Sequence, residues 1–298
     1  MPEPVKRRDP IRPILGAGTC ALLYWVAINL TVPIGRFLGG ELVAITVPPL
    51  IAAAISGALA MAIFESQTFG ELGIAWRDGT GRNFLWGLGL GVGAAALVVV
   101  PALGFGLAHY ETLQNADISW RATLFMPVLL FCGAAGEEIA FRGFFLQYLM
   151  RGYGAWAAIL GVGAFFGATH AANPGATWLG LVNTGLFGVI FGGCLLRSHD
   201  VWLSTGLHFG WNVVLPLLGV ELSGLTIRVT EYRLVWKAGN LWSGGEYGPE
   251  ASILTSAVLI LLALAVWKVP VRRGWAYLLD GPEPDGSAQP LLSPPPSR

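Results

Sequence analysis

The chain is short of charge. Only 12% of its 298 residues are Asp, Glu, Lys or Arg, while 54% are hydrophobic; soluble globular domains carry roughly 25% charged residues, so an ordinary soluble class is excluded. The 18 basic and 18 acidic residues cancel, which leaves no global field to draw in nucleic acid or an acidic partner. Cysteine is scarce as well: Cys20, Cys132 and Cys194 each sit in an apolar run without C-x-x-C spacing, as buried small side chains do, rather than disulfides or metal ligands. Serines such as Ser204 and Ser223 lack a G-x-S-x-G context, and no H-E-x-x-H occurs, so neither a nucleophilic serine nor a zincin signature is supported. The glycines at 87, 89 and 91 lie inside an apolar run with no strand before them, which rules out a nucleotide fingerprint. No internal repeat of the transporter kind is visible.

Long apolar runs are abundant. A bilayer-spanning helix needs about 20 mostly apolar residues, and about eight such stretches can be placed, at roughly 14–34, 41–64, 84–108, 121–150, 155–172, 177–197, 201–218 and 251–269. The expected fold is an all-α polytopic transmembrane helix bundle. A basic tail (1–13, with Lys6, Arg7 and Arg8) leads into a membrane domain over 14–275. Its catalytic core is expected at about 121–218 and a long outer loop at 219–250, where the glycine-rich run Gly244-Gly245-Glu246-Tyr247-Gly248-Pro249-Glu250 is expected to form a turn. The stretch 276–298 is Pro-rich and has too little apolar surface to offset ordering, so it is expected to be disordered. The first run follows basic residues as a signal peptide does, but no small-residue cleavage site follows, and a retained helix is expected. Glycines inside the spans suit close helix packing in lipid.

Basic residues are enriched on the cytoplasmic side. With the N-terminus inside, Arg12, Arg77, Arg82, Arg151, Arg197, Lys268, Arg272 and Arg273 fall on the cytoplasmic side, and Arg36, Arg121, Arg228, Arg233 and Lys237 outside. Both termini are thus expected in the cytoplasm, in a protein of the bacterial inner membrane.

Ionisable groups inside a span are costly and mark function or pairing. Glu137, Glu138 and Arg142 fall within two turns of the fourth span; Glu138 and Arg142 are i and i+4 and can neutralise each other, while Glu137 points elsewhere. A structural ion pair explains two of these charges and leaves the third. His170 ends the fifth span, and His208 and Asn212 share a face of the seventh. Counted at about 1.5 Å per residue, the four outlying groups reach comparable heights, and a common cavity opening toward the cytoplasm is expected. His109 and His199 lie at span ends and are expected to be solvated. A carboxylate beside a histidine can deprotonate water, and a second histidine with an amide can donate to an oxyanion. Such a set suits amide hydrolysis without a covalent intermediate. A zinc site of Glu137, His170 and His208 is the open alternative.

Taken in order, Glu137-Glu138-x-x-x-Arg142, Phe166-x-x-x-His170 and His208-x-x-x-Asn212 resemble the three-motif signature of the CPBP family. That family groups CaaX prenyl endopeptidases with bacterial bacteriocin-processing and abortive-infection proteins. The resemblance covers roughly residues 84–220. It implies an eight-helix fold and a glutamate-dependent intramembrane peptidase, often described as a metalloprotease, acting on a membrane-associated, prenylated-like or bacteriocin-type substrate. It implies Glu137 as general base aided by His170, His208 and Asn212 as the oxyanion site, and Glu138 and Arg142 as support; the activated-water route requires no cofactor, with zinc as the alternative. A catalytically silent scaffold or immunity protein of the same fold, and a proton-coupled transporter, are the other readings. The Gly-Gly-x-x-Gly-Pro-Glu run resembles a feature of some bacterial members.

Overall fold

Helix α1, Ile11–Glu65, counts 55 residues and contains two non-helical glycines, Gly39 and Gly40. A straight helix of that length would hold its ends about 80 Å apart. Instead Arg12 Nη2 donates to Phe64 O at 2.9 Å, so the chain doubles back at the glycine pair into two antiparallel arms, 11–38 and 41–65. The structure is a computed structural model in which residues 11–114 and 118–282 are described.

From this hairpin the chain continues through α2 (Thr80–Gly104), α3 (Trp120–Ala140), a π-helical turn (Phe141–Phe145), α4 (Leu146–Tyr153), α5 (Ala155–Thr169), α6 (Trp178–Ser198) and α7 (Trp202–Leu217), then α8 (Asn240–Ser243), α9 (Ile253–Lys268) and α10 (Tyr277–Asp280). The protein is mostly helical. Among the described residues, four helices are long and apolar enough to cross a membrane: Ile11–Glu65, Thr80–Gly104, Trp120–Tyr153 and Trp178–Ser198. The apolar α5 and α9 are shorter.

Small residues decide how these helices meet. A Cβ on Gly87 or Gly91 of α2 would lie 2.1 Å from the Leu203 or Leu207 carbonyl of α7, and one on Gly206 would lie 2.2 Å from the Phe84 carbonyl. Backbone therefore rests on backbone along α2 and α7, the contact that small residues permit in lipid. A Cβ on Gly136 would lie 2.6 Å from Leu50 N, a close approach that brings α3 onto the second arm of α1.

The turns at one end of the bundle are tied by charge. Arg151 pairs with Glu65 at 2.8 Å. Asn83 donates to Asp200 Oδ2 at 2.6 Å and to Arg272 O at 2.7 Å. The Arg197 guanidinium caps the C-terminus of α9 through the carbonyls of Val266 and Val269.

Several expectations change. The stretch 84–108 is not helical to its end: α2 stops at Gly104, and Ala108–Thr112 forms a strand, β1, antiparallel to β2, Tyr232–Trp236, with Tyr110 opposite Leu234. An all-α reading thus missed a two-stranded ribbon, because two short strands 120 residues apart in sequence carry no helical or hairpin signal of their own. Residues 11–13, expected in the basic tail, are helical; residues 1–10 lie outside the described set. The start of the Pro-rich tail is ordered: Ala276 is fully buried, and Asp280 accepts from Ala276 N and Arg273 Nη2. Residues 283–298 lie outside the described set. His199 is not solvated either; it is buried, with Nδ1 2.8 Å from Asp280 Oδ2.

Candidate active site

Two adjacent carboxylates on α3 meet different surroundings. Glu138 faces inward and is fully buried, with Oε1 3.4 Å from Arg142 Nη1. Arg142 follows on the π-helical turn, donates through Nη2 to Gly188 O at 3.0 Å, and lies over the rings of Phe166 and Phe191. The turn itself is stabilised from outside the helix ladder: Gln147 Nε2 donates to Arg142 O at 3.0 Å and to Leu72 O at 2.9 Å. Such π-turns recur at functional sites because they re-aim side chains.

Glu137, one position earlier, is rotated by about 100° and faces a cavity of about 360 Å³ lined also by Tyr24, Phe141, His170, Asn173, His208, Asn212 and Ser223. Its side chain is 32% exposed, and its Oε2 lies 3.9 Å from His208 Nε2. Of the six residues singled out by sequence, Glu137, His170, His208 and Asn212 line this cavity, while Glu138 and Arg142 sit behind it.

The histidines are oriented by different partners. His208 Nδ1 is 3.0 Å from Glu138 Oε1, and its ring stacks on Phe191. A neutral His208 that gives Nδ1–H to Glu138 presents a lone pair at Nε2, toward Glu137; only its imidazolium form can donate there. Glu138 therefore serves both Arg142 and His208, a bridge that the local i, i+4 pairing did not reveal. His170 Nδ1 is 2.9 Å from Phe166 O, which holds the ring at the end of α5.

The cavity was expected to open toward the cytoplasmic, basic end, yet part of its wall comes from the opposite side: Leu222, Ser223 and Leu225 of the 219–250 segment line it. Counting residues along each helix gave heights, but which end a loop covers depends on tertiary packing.

Sequence reasoning passed over Tyr24, Asn173, Ser223 and Glu250. Glu250 closes the Gly-Gly-x-x-Gly-Pro-Glu run, which forms no free turn. Its side chain is 3% exposed and lines a second chamber, of about 30 Å³, together with His170, His208, Asn212 and Ser223. Burial pushes its carboxyl up to about 7, against the hydrogen bonds from Trp211 and Ser223. The run of glycines was the signal that could have found it.

Among the described residues no three His, Cys, Asp or Glu side chains converge as a metal-ligand group. In the Glu137, His170 and His208 set, Nδ1 of each histidine is engaged by protein oxygen, which leaves Nε2 as the free ring nitrogen, and Nε2 of His208 stands 3.9 Å from the Glu137 carboxylate; these three residues would hold a metal ion if one binds.

The three motifs thus converge on one cavity. Residues 119–214 match the Rce1-like family of type II CAAX prenyl endopeptidases. The Rce1-like match supports an intramembrane protease of CAAX type, and with the four membrane-capable helices it supports an integral membrane protein. No curated protein and no solved structure matches the chain.

Proposed function

We propose that the chain is an intramembrane endopeptidase in which Glu137 activates a water against a peptide bond of a membrane-associated substrate. The observation that carries this is the asymmetry of the Glu137–Glu138 pair: Glu138 is fully buried with Oε1 held by Arg142 and His208, whereas Glu137 lines the cavity and is part-exposed to it. A carboxylate in a partly dry pocket is suited to take a proton from water. His170 borders the same space and holds that water with Glu137. The water oxygen adds to the scissile carbonyl, and the proton taken by Glu137 passes to the leaving amine, so no covalent enzyme intermediate forms. Asn212 donates to the oxyanion, and His208 joins it as an imidazolium stabilised by Glu138. No cofactor enters this route.

An apolar pocket of about 390 Å³ shares Tyr24, Phe141 and Thr169 with the main cavity and is otherwise walled by residues such as Cys20, Trp25, Phe145 and Phe165. It gives a hydrocarbon-bearing or transmembrane substrate a lateral way in from lipid.

Eight helical passes with both termini on the basic, cytoplasmic side of a bacterial inner membrane complete the reading, and they put the cavity nearer the outer face. Cysteines placed at positions 151 and 246 test this: a membrane-impermeant maleimide added outside intact cells should label 246, which is exposed, and not 151. Labelling at 151 reverses the topology.

The decisive test of function is hydrolysis of a library of membrane-tethered peptides by the purified protein, with and without chelator, alongside metal analysis of the wild type and His208→Ala. Cleavage that resists chelator supports the metal-free route. A stoichiometric zinc lost in His208→Ala, with chelator-sensitive cleavage, overturns it. Complete absence of cleavage favours the silent scaffold.

A further inference from the structure

The run from Gly244 to Glu250 builds an unusual object, a carboxyl buried directly behind the candidate site. Gly244, at φ +81°, and Gly248, at φ +97°, take left-handed conformations, and a Cβ on Gly244 would lie 1.7 Å from the Gly248 carbonyl. Only glycine permits that winding. It folds the segment inward, where Asn183 of α6 donates to the carbonyls of Glu250 and Ser252 at 2.8 and 3.0 Å, and Ser256 donates to Asn183 Oδ1 in return. The backbone of Glu250 is thereby pinned between α6 and the start of α9.

Its side chain reaches toward the site. Oε1 accepts the Trp211 indole N–H at 3.3 Å, Ser223 N–H at 3.1 Å and Ser223 O–H at 3.2 Å. Trp211 precedes Asn212 on α7, and Ser223 lines the main cavity, its own carbonyl held by Asn173 Nδ2 at 3.0 Å. One oxygen thus ties the cavity's outer wall to the helix that carries His208 and Asn212. The other, Oε2, is buried with no hydrogen-bond partner, and Glu250 lines a chamber bordered also by Thr184, His170, His208 and Asn212. A buried oxygen left in that state is destabilising unless something fills the place of the missing donor. The chamber, at about 30 Å³, has the room and the polar lining that a water needs.

We infer that Glu250 is a positioning residue for the proposed hydrolysis: Oε1 clasps the 222–225 wall to α7, and Oε2 holds a water that fixes the His208 and Asn212 side chains from behind. This rests on the peptidase reading, and it assigns the glycine-rich run a purpose, to insert that carboxyl without disturbing α9.

Glu250→Gln separates the two roles, because the amide carbonyl can replace Oε1 while the amide NH₂ replaces an acceptor with a donor. The variant should melt like the wild type and keep KM within about two-fold. Its kcat should fall about 10-fold, the worth of one net hydrogen bond. Glu250→Ala should also lose the clasp, seen as faster amide exchange across 222–225 in detergent. An independent readout comes from ring ¹⁵N spectra, which are tractable because the chain has only 4 histidines; the His208 signals should move in Glu250→Gln. This arm does not need cleavage, so it decides the inference even if no peptide is hydrolysed. Unchanged kcat with unmoved His208 signals overturns it. Should Glu250→Gln fail to fold, Trp211→Phe, which removes one donor to Oε1 and keeps an aromatic ring, takes its place: unmoved His208 signals there overturn the inference.

Discussion

The two ends of the bundle treat polar groups differently. At the basic end, charges meet partners on neighbouring turns: Glu65 with Arg151, Asp200 with Asn83, Asp280 with Arg273 and His199. Toward the other end the ion pairs Arg36–Glu41 and Arg233–Glu111 sit at the surface, while around the cavity some groups stay open: Glu137 Oε2 and Glu250 Oε2 are buried without a hydrogen-bond partner. Pairing fastens helices where the chain turns. Incomplete pairing in a walled cavity leaves capacity for a substrate and water, which is how polar groups in a low-dielectric site come to serve chemistry.

The sharpest way to break this contrast is to exchange the roles of the neighbouring carboxylates. Glu137→Gln should remove at least 10²- to 10⁴-fold of the hydrolysis rate, the usual worth of a general base, with expression and melting unchanged. Glu138→Gln should destabilise the protein by about 3–5 kcal/mol, because Arg142 is left as an uncompensated buried charge, and it also releases His208. Full turnover of Glu137→Gln in detergent would sink the base assignment. Equal thermal stability of the two variants would erase the distinction between a paired and a free carboxylate.

Asn212→Ala probes the cavity with a somewhat smaller effect. Losing one oxyanion donor costs about 100- to 1,000-fold and leaves measurable turnover. A dead enzyme with native folding would give Asn212 more than a donor's share.

Asp280→Asn tests the basic end, where the expected change is slight. Although burial alone would raise it, the Asp280 carboxyl lies below its ordinary range, held there by Ala276 N–H, His199 and Arg273. A depressed carboxyl stabilises the fold above its unfolded pKa and loses that contribution as pH falls through the folded value. The substitution should therefore lower the melting midpoint near neutral pH by an amount worth about 1 kcal/mol or less, and hardly at all in acid, with hydrolysis unaffected. A large loss of activity would mean that the two ends are coupled.

Much of this was open to reading in the primary structure. Apolar runs of bilayer length, interrupted by few charges, disclosed a helical membrane protein because the hydrocarbon core demands internal hydrogen bonding and apolar side chains. The same scarcity isolated Glu137, Glu138, Arg142, His170, His208 and Asn212, since polar residues are conspicuous where they are costly. Helical periodicity also separated Glu137 from Glu138. Tertiary structure alone decided the rest. That Glu138 bridges to His208 depends on how α7 slides along α2 on its glycines, and local spacing carries nothing of that. The ribbon of β1 and β2 joins segments more than 100 residues apart, and each strand is too short to announce itself. Glu250 read as the end of a turn because a positive-φ glycine run specifies only that the chain bends. Whether the bend delivers a carboxyl to solvent or to the back of the candidate-site cavity is set by what α6 and α7 present to it.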